Sequence, residues 1–330
     1  MLRRLIPDPF IIAILAAVAL ASLLPARDGF ATLVGWLSTA TVVLLFFFHG
    51  AKLPRDQVLA GLKHWRLHLV ILAATFVMFP LLGLGLARAL PGLLPPLLWT
   101  GVIYLAALPA TVQSAIAFTS IARGNVPAAI ASSSASQMLG IVLTPLLVAL
   151  LAGGHGAQEV RLSGIGRIVL EIFVPFVVGH GLRPWIGAWI ARNKGVIAVT
   201  DRATIVIAVY SAFSVAVIEG IWHRLPLPVL GVLTLVCALV LAVALGVTWG
   251  VSGLLGFPRE DRIAITFCGT KKSLIQGVPM ARVLFPAADV GIVLLPIMIF
   301  HQMQLMACAA IARRMAGYRE DEEEPDVRRS

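Results

Sequence analysis

Long apolar runs follow one another along almost the whole chain, separated by short stretches rich in Pro, Gly and charged residues. About 20 apolar residues are needed for an α-helix to cross the hydrocarbon core of a bilayer. The pattern therefore predicts an all-α membrane protein with ten transmembrane helices, near residues 8–25, 30–50, 67–89, 96–123, 126–152, 167–183, 203–222, 228–254, 261–285 and 290–312.

Composition agrees with this interpretation. Hydrophobic residues make up 59% of the 330 residues and charged residues only 13%, whereas soluble domains carry about 25% charged residues. The three cysteines, Cys237, Cys268 and Cys308, lie in apolar runs without paired spacing, so we expect no metal site, no cofactor and no disulfide framework. The chain also lacks a phosphate loop and a zinc-binding His-Glu-x-x-His helix, and we expect it not to be an enzyme.

The distribution of basic residues predicts the orientation. With the N-terminus inside, cytoplasmic segments contain 18 of the 26 Lys and Arg, and six lie outside. Cytoplasmic loops are enriched in Lys and Arg, so we expect a multi-pass protein of the cell (inner) membrane with both termini cytoplasmic. The same rule explains the net charge of +10 without a nucleic-acid partner. The charged segment 313–330 is expected to form a cytoplasmic tail, unstructured from Tyr318 onward.

The chain contains an internal repeat. At an offset of 159 residues, the segment 111–129 aligns with the segment 270–288, and eight of nineteen positions are identical. The two copies lie in predicted spans 4 and 9, so each half has five spans and the halves cross the membrane in opposite senses. We expect a first five-helix repeat over residues 1–152 and a second, inverted repeat over 153–312.

Each copy begins where its span is interrupted. Pro109 lacks an amide donor and ends or kinks a helix, and the run 261–269 ends in the sequence Gly-Thr-Lys-Lys. Inverted repeats with discontinuous helices are typical of secondary transporters, whose substrate site lies near the bilayer midplane. Helix N-termini attract anions, so we expect an anion-binding or polar pocket beside Thr111, Gln113, Ser114, Thr270 and Ser273.

Residues 108–145, LPATVQSAIAFTSIARGNVPAAIASSSASQMLGIVLTP, and residues 267–286, FCGTKKSLIQGVPMARVLFP, resemble the bile acid:sodium symporter superfamily. They are most similar to its SBF-like branch of orphan members. The resemblance implies a panel domain of spans 1, 2, 6 and 7 and a core domain of spans 3–5 and 8–10. The broken spans 4 and 9 would cross in the core domain, and motion between the domains would give alternating access.

The sequence departs from the sodium-coupled members of that superfamily. Their second crossing helix carries a Glu-x-Gly-x-Gln-Asn-Ser type run that holds sodium, whereas residues 267–273 here read Phe-Cys-Gly-Thr-Lys-Lys-Ser. We expect one ammonium, of Lys271 or Lys272, to take the place of a coupling cation. The other, or the same one when deprotonated, would meet an anionic substrate or carry a proton. The alternative is that both lysines snorkel into a wet cavity or pair with Glu171 and only hold the fold.

Further polar residues lie in the same predicted region. Ser133, Gln137 and Gln276 are candidate ligands, although small residues such as Ser133 also allow close helix packing. Glu171 and His301 are candidate proton carriers, with a solvated helix end and a hydrogen-bonded core histidine as the alternatives.

These features predict a secondary transporter of a small organic, anionic solute. The expected partners are that solute, a proton as candidate coupling ion in preference to sodium, and membrane lipid. Two alternatives stay open: a regulatory membrane protein that affects ion homeostasis without transporting a substrate, and a sodium-coupled organic anion symporter.

Overall fold

A computed structural model describes residues 9–52, 64–151, 169–220 and 225–323. Within these ranges the chain forms α-helices and no strand. The helices are α1 (Pro9–Leu23), α2 (Asp28–Lys52), α3 (Trp65–Ala89), α4 (Pro96–Ala107), α5 (Gln113–Ile121), α6 (Val126–Leu151), α7 (Val169–Arg192), α8 (Lys194–Ile218), α9 (Leu227–Leu254), α10 (Arg259–Gly269), α11 (Leu274–Leu284) and α12 (Ala287–Glu323). A π-helical turn interrupts α3 at Ala74–Met78, and another forms the described start of α7 at Val169–Phe173.

The helices and their surfaces are those of a multi-pass membrane protein. In the described ranges, seven helices are long and apolar enough to cross a bilayer: α2, α3, α6, α7, α8, α9 and α12. Large apolar side chains remain exposed on the outer surface, among them Leu227 at 83% and Leu254 at 90%. Exposed apolar surface on this scale needs a lipid or protein covering, which a bilayer supplies.

Two helices extend well beyond their predicted spans. The predictions 167–183 and 203–222 stop at charged residues, whereas α7 continues to Arg192 and α8 already begins at Lys194. A prediction from hydropathy ends a span at the first charged residues. The helix itself can continue past the hydrocarbon layer, because its backbone hydrogen bonds are satisfied within the helix. As a result Asp201, which lies outside the predicted spans, is a buried residue of α8.

The charged tail is also partly helical. α12 continues through Glu323, so the prediction of an unstructured segment from Tyr318 is wrong for residues 318–323. Arg and Glu have high helix propensity, which allows a long preceding helix to continue through them. Residues 324–330 lie outside the described ranges, as does the predicted boundary between the two repeats at residues 152 and 153.

The helices pack in two groups. α2 packs along α7, α1 packs on α8, and α8 also contacts α2. The pair α2 and α7 meets backbone to backbone, because a Cβ on Gly50 would lie 2.0 Å from the Phe176 oxygen and a Cβ on Gly179 would lie 2.0 Å from the Phe47 oxygen. In the other group, α12 contacts α4, α9 and α11, and α10 contacts α3, α5, α6 and α9. Contacts of α8 with α11 and α12 join the two groups.

Residues 122–125, Ala-Arg-Gly-Asn, form the connection between α5 and α6. Arg123 has a φ of +58°, a left-handed conformation that is uncommon for residues other than glycine. Asn125 donates its backbone N–H to the Glu260 oxygen at 2.9 Å and its side-chain Nδ2 to Asp261 Oδ1 at 2.7 Å. The turn therefore connects the first broken segment to the start of the second.

Candidate functional site

The first break separates α4 from α5. Helix α4 ends at Ala107 and α5 begins at Gln113, so the predicted interruption at Pro109 is present. Helix α6 supports the non-helical residues: Ser136 Oγ accepts the Ala110 N–H at 3.0 Å, and Thr144 Oγ1 donates to the Ala107 oxygen at 2.9 Å. Buried backbone groups need such partners when helical hydrogen bonds are lost, and the α6 hydroxyls provide them.

The second break separates α10 from α11 and contacts the first. Helix α10 ends at Gly269 and α11 begins at Leu274. Ser273 caps α11, because its Oγ accepts the Gln276 N–H at 3.3 Å. The Ser273 N–H donates to the Pro109 oxygen at 2.9 Å. A backbone hydrogen bond thus joins the two breaks directly.

Lys272 lies at this junction with its ammonium in a cage of backbone oxygens. Nζ donates to the oxygens of Thr75 at 2.9 Å, Ala106 at 2.7 Å and Leu108 at 2.7 Å. It also lies 4.2 Å from the centroid of the Phe79 ring. An ammonium has three N–H donors, so the cage accepts all three of them.

Local backbone geometry explains why these oxygens are available. Ala106 and Leu108 lie at the C-terminal end of α4, where carbonyls lack intrahelical donors. In α3, the Phe79 N–H donates to the Ala74 oxygen across the π-helical turn, and Pro80 has no N–H. The Thr75 oxygen is therefore left without a helical donor and accepts from Lys272 instead.

The Lys272 ammonium lies at the C-terminus of α4, where the helix dipole is negative and favours a cation. Lys271 and Lys272 are each 0% exposed, so the alternative that both lysines snorkel into a wet cavity is wrong. The two side chains contact different rings, Phe118 for Lys271 and Phe79 for Lys272.

Lys271 has a different environment. Its Nζ lies 4.2 Å from the centroid of the Phe118 ring and close enough to the Cys268 and Cys308 thiols to interact with them electrostatically. No oxygen or nitrogen atom of the described residues accepts a hydrogen bond from it. A cation–π contact with one ring stabilises a buried ammonium by about 2 kcal/mol, less than a full set of acceptors does.

Gln304 of α12 forms two hydrogen bonds with the backbone of Lys272. Its Oε1 accepts the Lys272 N–H at 2.9 Å and its Nε2 donates to the Lys272 oxygen at 3.0 Å. The same Nε2 lies 3.0 Å from His301 Nδ1. His301 is 8% exposed and lines the adjoining cavity, so a chain of polar contacts leads from the cavity to the caged lysine.

A cavity of about 390 Å³ lies between the two breaks on one side and α1, α2, α7 and α8 on the other. Seven of the residues predicted as site residues line it: Thr111, Gln113, Ser114, Gln137, Ser273, Gln276 and His301. Thr111 Oγ1 lies 2.7 Å from Ser114 Oγ, and Gln276 Nε2 donates to the Gln137 oxygen at 3.3 Å. Gln276 Oε1 is buried and has no hydrogen-bond partner in the described part of the chain.

The other five predicted site residues do not line this cavity: Ser133, Thr270, Lys271, Lys272 and Glu171. Ser133 donates to Cys268 Sγ at 3.4 Å, and Thr270 Oγ1 donates to the Thr266 oxygen at 2.6 Å. Glu171 lies in the π-helical turn of α7, partly exposed. Ser133, Thr270 and the two lysines are buried and do not reach the cavity surface.

Four charged or titratable residues missed by the sequence analysis line the same cavity from α2 and α8: His49, Lys52, Asp201 and Arg202. Lys52 Nζ lies 2.7 Å from Asp201 Oδ2. Hydropathy placed these residues at span ends, where charge is unremarkable. The isolated carboxylate of Asp201 near an apolar helix was the signal that could have found them.

A second cavity, of about 820 Å³, continues from the first toward the end of the molecule that carries Arg183 and Lys194. Lys52, Gln113 and Asp201 line both cavities. In the described ranges no three His, Cys, Asp or Glu side chains cluster as metal ligands would.

The arrangement of two interrupted helices around a polar cavity agrees with comparisons of the sequence. Residues 8–317 match the model of the SBF-like CPA transporter family. The chain belongs to this family. It is 53% identical to the uncharacterized protein PA2026 of Pseudomonas aeruginosa over 96% of both chains. It is 50% identical to the putative symporter YfeH of Escherichia coli, over 93% of this chain and 92% of that one.

A vertebrate relative extends the comparison. The chain is 29% identical to the sodium/bile acid cotransporter 7 of Xenopus tropicalis, over 93% of this chain and 91% of that one. The resemblance to the SBF-like branch of the bile acid:sodium symporter superfamily is thereby confirmed, and the protein is a member of a family of membrane transporters.

Proposed function

We propose that this protein is a secondary transporter that moves a small organic anion by alternating access and does not use sodium as its coupling ion. The observation that carries the proposal is the Lys272 ammonium, held by three backbone oxygens where the two broken helices meet. In secondary transporters, unwound carbonyls and the C-terminal ends of half-helices coordinate the coupling cation. In this protein the Lys272 ammonium occupies such a cation site, so the positive charge there is part of a side chain.

The proposed topology has ten spans in two inverted halves. Two observations support this topology: the helices are interrupted at residues 108–112 and 270–273, and the repeated sequence begins at each interruption. Helices α1, α2, α7 and α8 would form the panel domain, and the remaining helices the core domain. The excess of Lys and Arg at one end makes that end cytoplasmic in the inner membrane, with both termini on the same side.

The cavity lies between these two groups of helices, where relative motion would expose it to each side in turn. The second cavity leads from it toward Arg183 and Lys194, which lie at the proposed cytoplasmic end. With the proposed orientation, the described conformation is open to the cytoplasm.

The chemistry of the cavity wall favours an organic anion. Among the described residues that line the cavity, Lys52, Arg202 and two histidines outnumber the one carboxylate, that of Asp201. The N-termini of α5 and α11 meet at the cavity and favour negative charge. Apolar side chains, including Phe10, Met138 and Phe176, complete the wall. A ligand with one anionic group and an apolar body matches this combination.

Flux into proteoliposomes tests the proposal. We expect uptake of at least one anion from a set of benzenesulfonate, succinate and taurocholate, and the rate should stay the same when choline replaces sodium. The Lys272→Ala variant should lose this uptake in choline, because the protein's own cation is gone. Wild-type uptake that follows the sodium gradient would contradict the proposal and support a sodium-coupled symporter.

A further inference from the structure

A charged cluster on α2 and α8 faces the two breaks across the cavity. Lys52 Nζ lies 2.7 Å from Asp201 Oδ2, and the Lys52 side chain is 32% exposed while that of Asp201 is 8% exposed. The second oxygen, Oδ1, is buried and has no hydrogen-bond partner among the described residues. One oxygen of this carboxylate is thus neutralised by Lys52, and the other is not.

His49 lies one turn before Lys52 on the same face of α2. Its Nδ1 lies 2.9 Å from the Leu45 oxygen. A backbone oxygen can only accept, so Nδ1 carries a hydrogen and donates it. His49, Lys52 and Asp201 all line the cavity that the proposed substrate would occupy.

We propose that Asp201 is the proton-binding site of this transporter and that its protonation releases Lys52 to bind the carboxylate or sulfonate group of the substrate. The inference rests on the proposed transport function and names its coupling ion. In the step, a proton from water binds a carboxylate oxygen of Asp201. Lys52 stays an ammonium and exchanges its ion pair with Asp201 for an ion pair with the substrate anion. One proton and one monovalent anion enter together.

Charge balance favours this pairing. Before the step, the cluster contains one carboxylate and one ammonium; afterwards it contains a neutral acid, the same ammonium and one bound anion. The net charge of the cavity wall and its ligand is unchanged, which avoids the high cost of uncompensated charge in a medium of low polarity. Because Lys52 is the more exposed partner, it can turn toward the substrate while Asp201 stays in place.

The surroundings of Asp201 couple the two binding events. Among the described residues, the charged and titratable groups that face these cavities besides Asp201 are His49 and Lys52 from α2, Arg183 from α7, Lys194 and Arg202 from α8 and His301 from α12. His180 of α7 lies beside them against the Gly50 oxygen. Helices α1, α5, α6 and α11 contribute no titratable side chain to the wall. Every one of these groups is cationic or can become so. Their positive charge attracts an anion to the cavity, and anion binding beside Asp201 then favours proton binding, as linkage requires.

Proteoliposomes with an alkaline interior test the inference. Benzenesulfonate and taurocholate are suitable probes because both stay anionic and do not cross lipid as neutral acids. A gradient of one pH unit corresponds to about a tenfold accumulation when one proton accompanies one anion, and wild-type protein should approach it. Asp201→Asn, a neutral analogue of the protonated acid, should lose the accumulation but keep exchange of internal for external probe at equal pH.

Two further variants complete the design. Lys52→Met should lose both accumulation and exchange, because it removes the proposed anion ligand. Glu219→Gln is the matched control, since Glu219 is an exposed carboxylate at the other end of α8, and it should behave as wild type. Thermal unfolding in detergent, followed by tryptophan fluorescence, identifies any variant that fails to fold.

The outcomes separate this inference from the transport proposal. Accumulation by Asp201→Asn at the wild-type level would overturn the assignment of the proton site. Wild-type exchange of a probe without any response to the pH gradient would overturn proton coupling and leave the transport proposal standing. A folded wild-type protein that neither accumulates nor exchanges either probe would overturn both.

Discussion

Replacing Lys272 by methionine keeps the length of the side chain and removes its ammonium. The oxygens of Thr75, Ala106 and Leu108 then lose their donor at a fully buried site. Hydrogen bonds to a charged group contribute about 1.5–3 kcal/mol each, but the methionine variant also avoids the desolvation cost of a buried ammonium, which is several kcal/mol. Three buried acceptors without a donor cost about 1–3 kcal/mol each, and relief of the desolvation cost offsets part of this, so we expect a net loss of about 1–5 kcal/mol.

Lys271→Met provides the matched comparison, because the two lysines are adjacent and equally buried. Lys271 has a ring contact and the Cys268 and Cys308 thiols nearby, but no oxygen or nitrogen acceptor in the described part of the chain. Its replacement removes a cation–π contact of at most about 2 kcal/mol together with a desolvation cost that offsets it. We therefore expect Lys271→Met to be close to neutral or stabilising.

Thermal unfolding in detergent, followed through the seven tryptophans, measures both variants. A second pair, Lys272→Ala and Lys271→Ala, is unfolded in sodium chloride and in choline chloride. Sodium should raise the stability of Lys272→Ala, because the cation can enter the space lined by three oxygens, and should leave wild type and Lys271→Ala unchanged. Equal losses for the two methionine variants, or no sodium effect on Lys272→Ala, would refute the assignment of Lys272 as a resident cation.

Two further predictions concern the supports of the breaks. Gln304→Leu should destabilise the protein by about 2–6 kcal/mol, because the buried N–H and the buried oxygen of Lys272 each lose a partner at about 1–3 kcal/mol. Gln302→Leu, on a more exposed face of the same helix, should change stability little in the same unfolding assay. Gly140→Ala should cost about 1–3 kcal/mol, since the added Cβ would lie 2.6 Å from the proline ring of the first break. Gly246→Ala, which meets nothing within 4 Å, should be neutral or gain up to about 1 kcal/mol, and an equal response of both glycines would contradict the close packing at the first break.

The positions of the two breaks could be predicted because their signals are local. Pro109 removes a helical hydrogen bond wherever it stands, and two lysines within an apolar run disturb a membrane helix whatever surrounds them. The predicted pocket residues around these breaks, such as Gln113 and Ser273, consequently line the observed cavity.

The sequence by itself determined that this is an all-helical membrane protein, where most apolar segments lie and where two of them are interrupted, because chain length, hydropathy and missing amide donors act over a few residues. Only the tertiary structure decided which lysine is caged and which residues face the cavity. Thr75 meets Lys272 across 197 positions of sequence, and Lys52 meets Asp201 across 149. Such contacts depend on how helices pack and on which carbonyls a π-helical turn leaves free, and no local pattern of residue types specifies either.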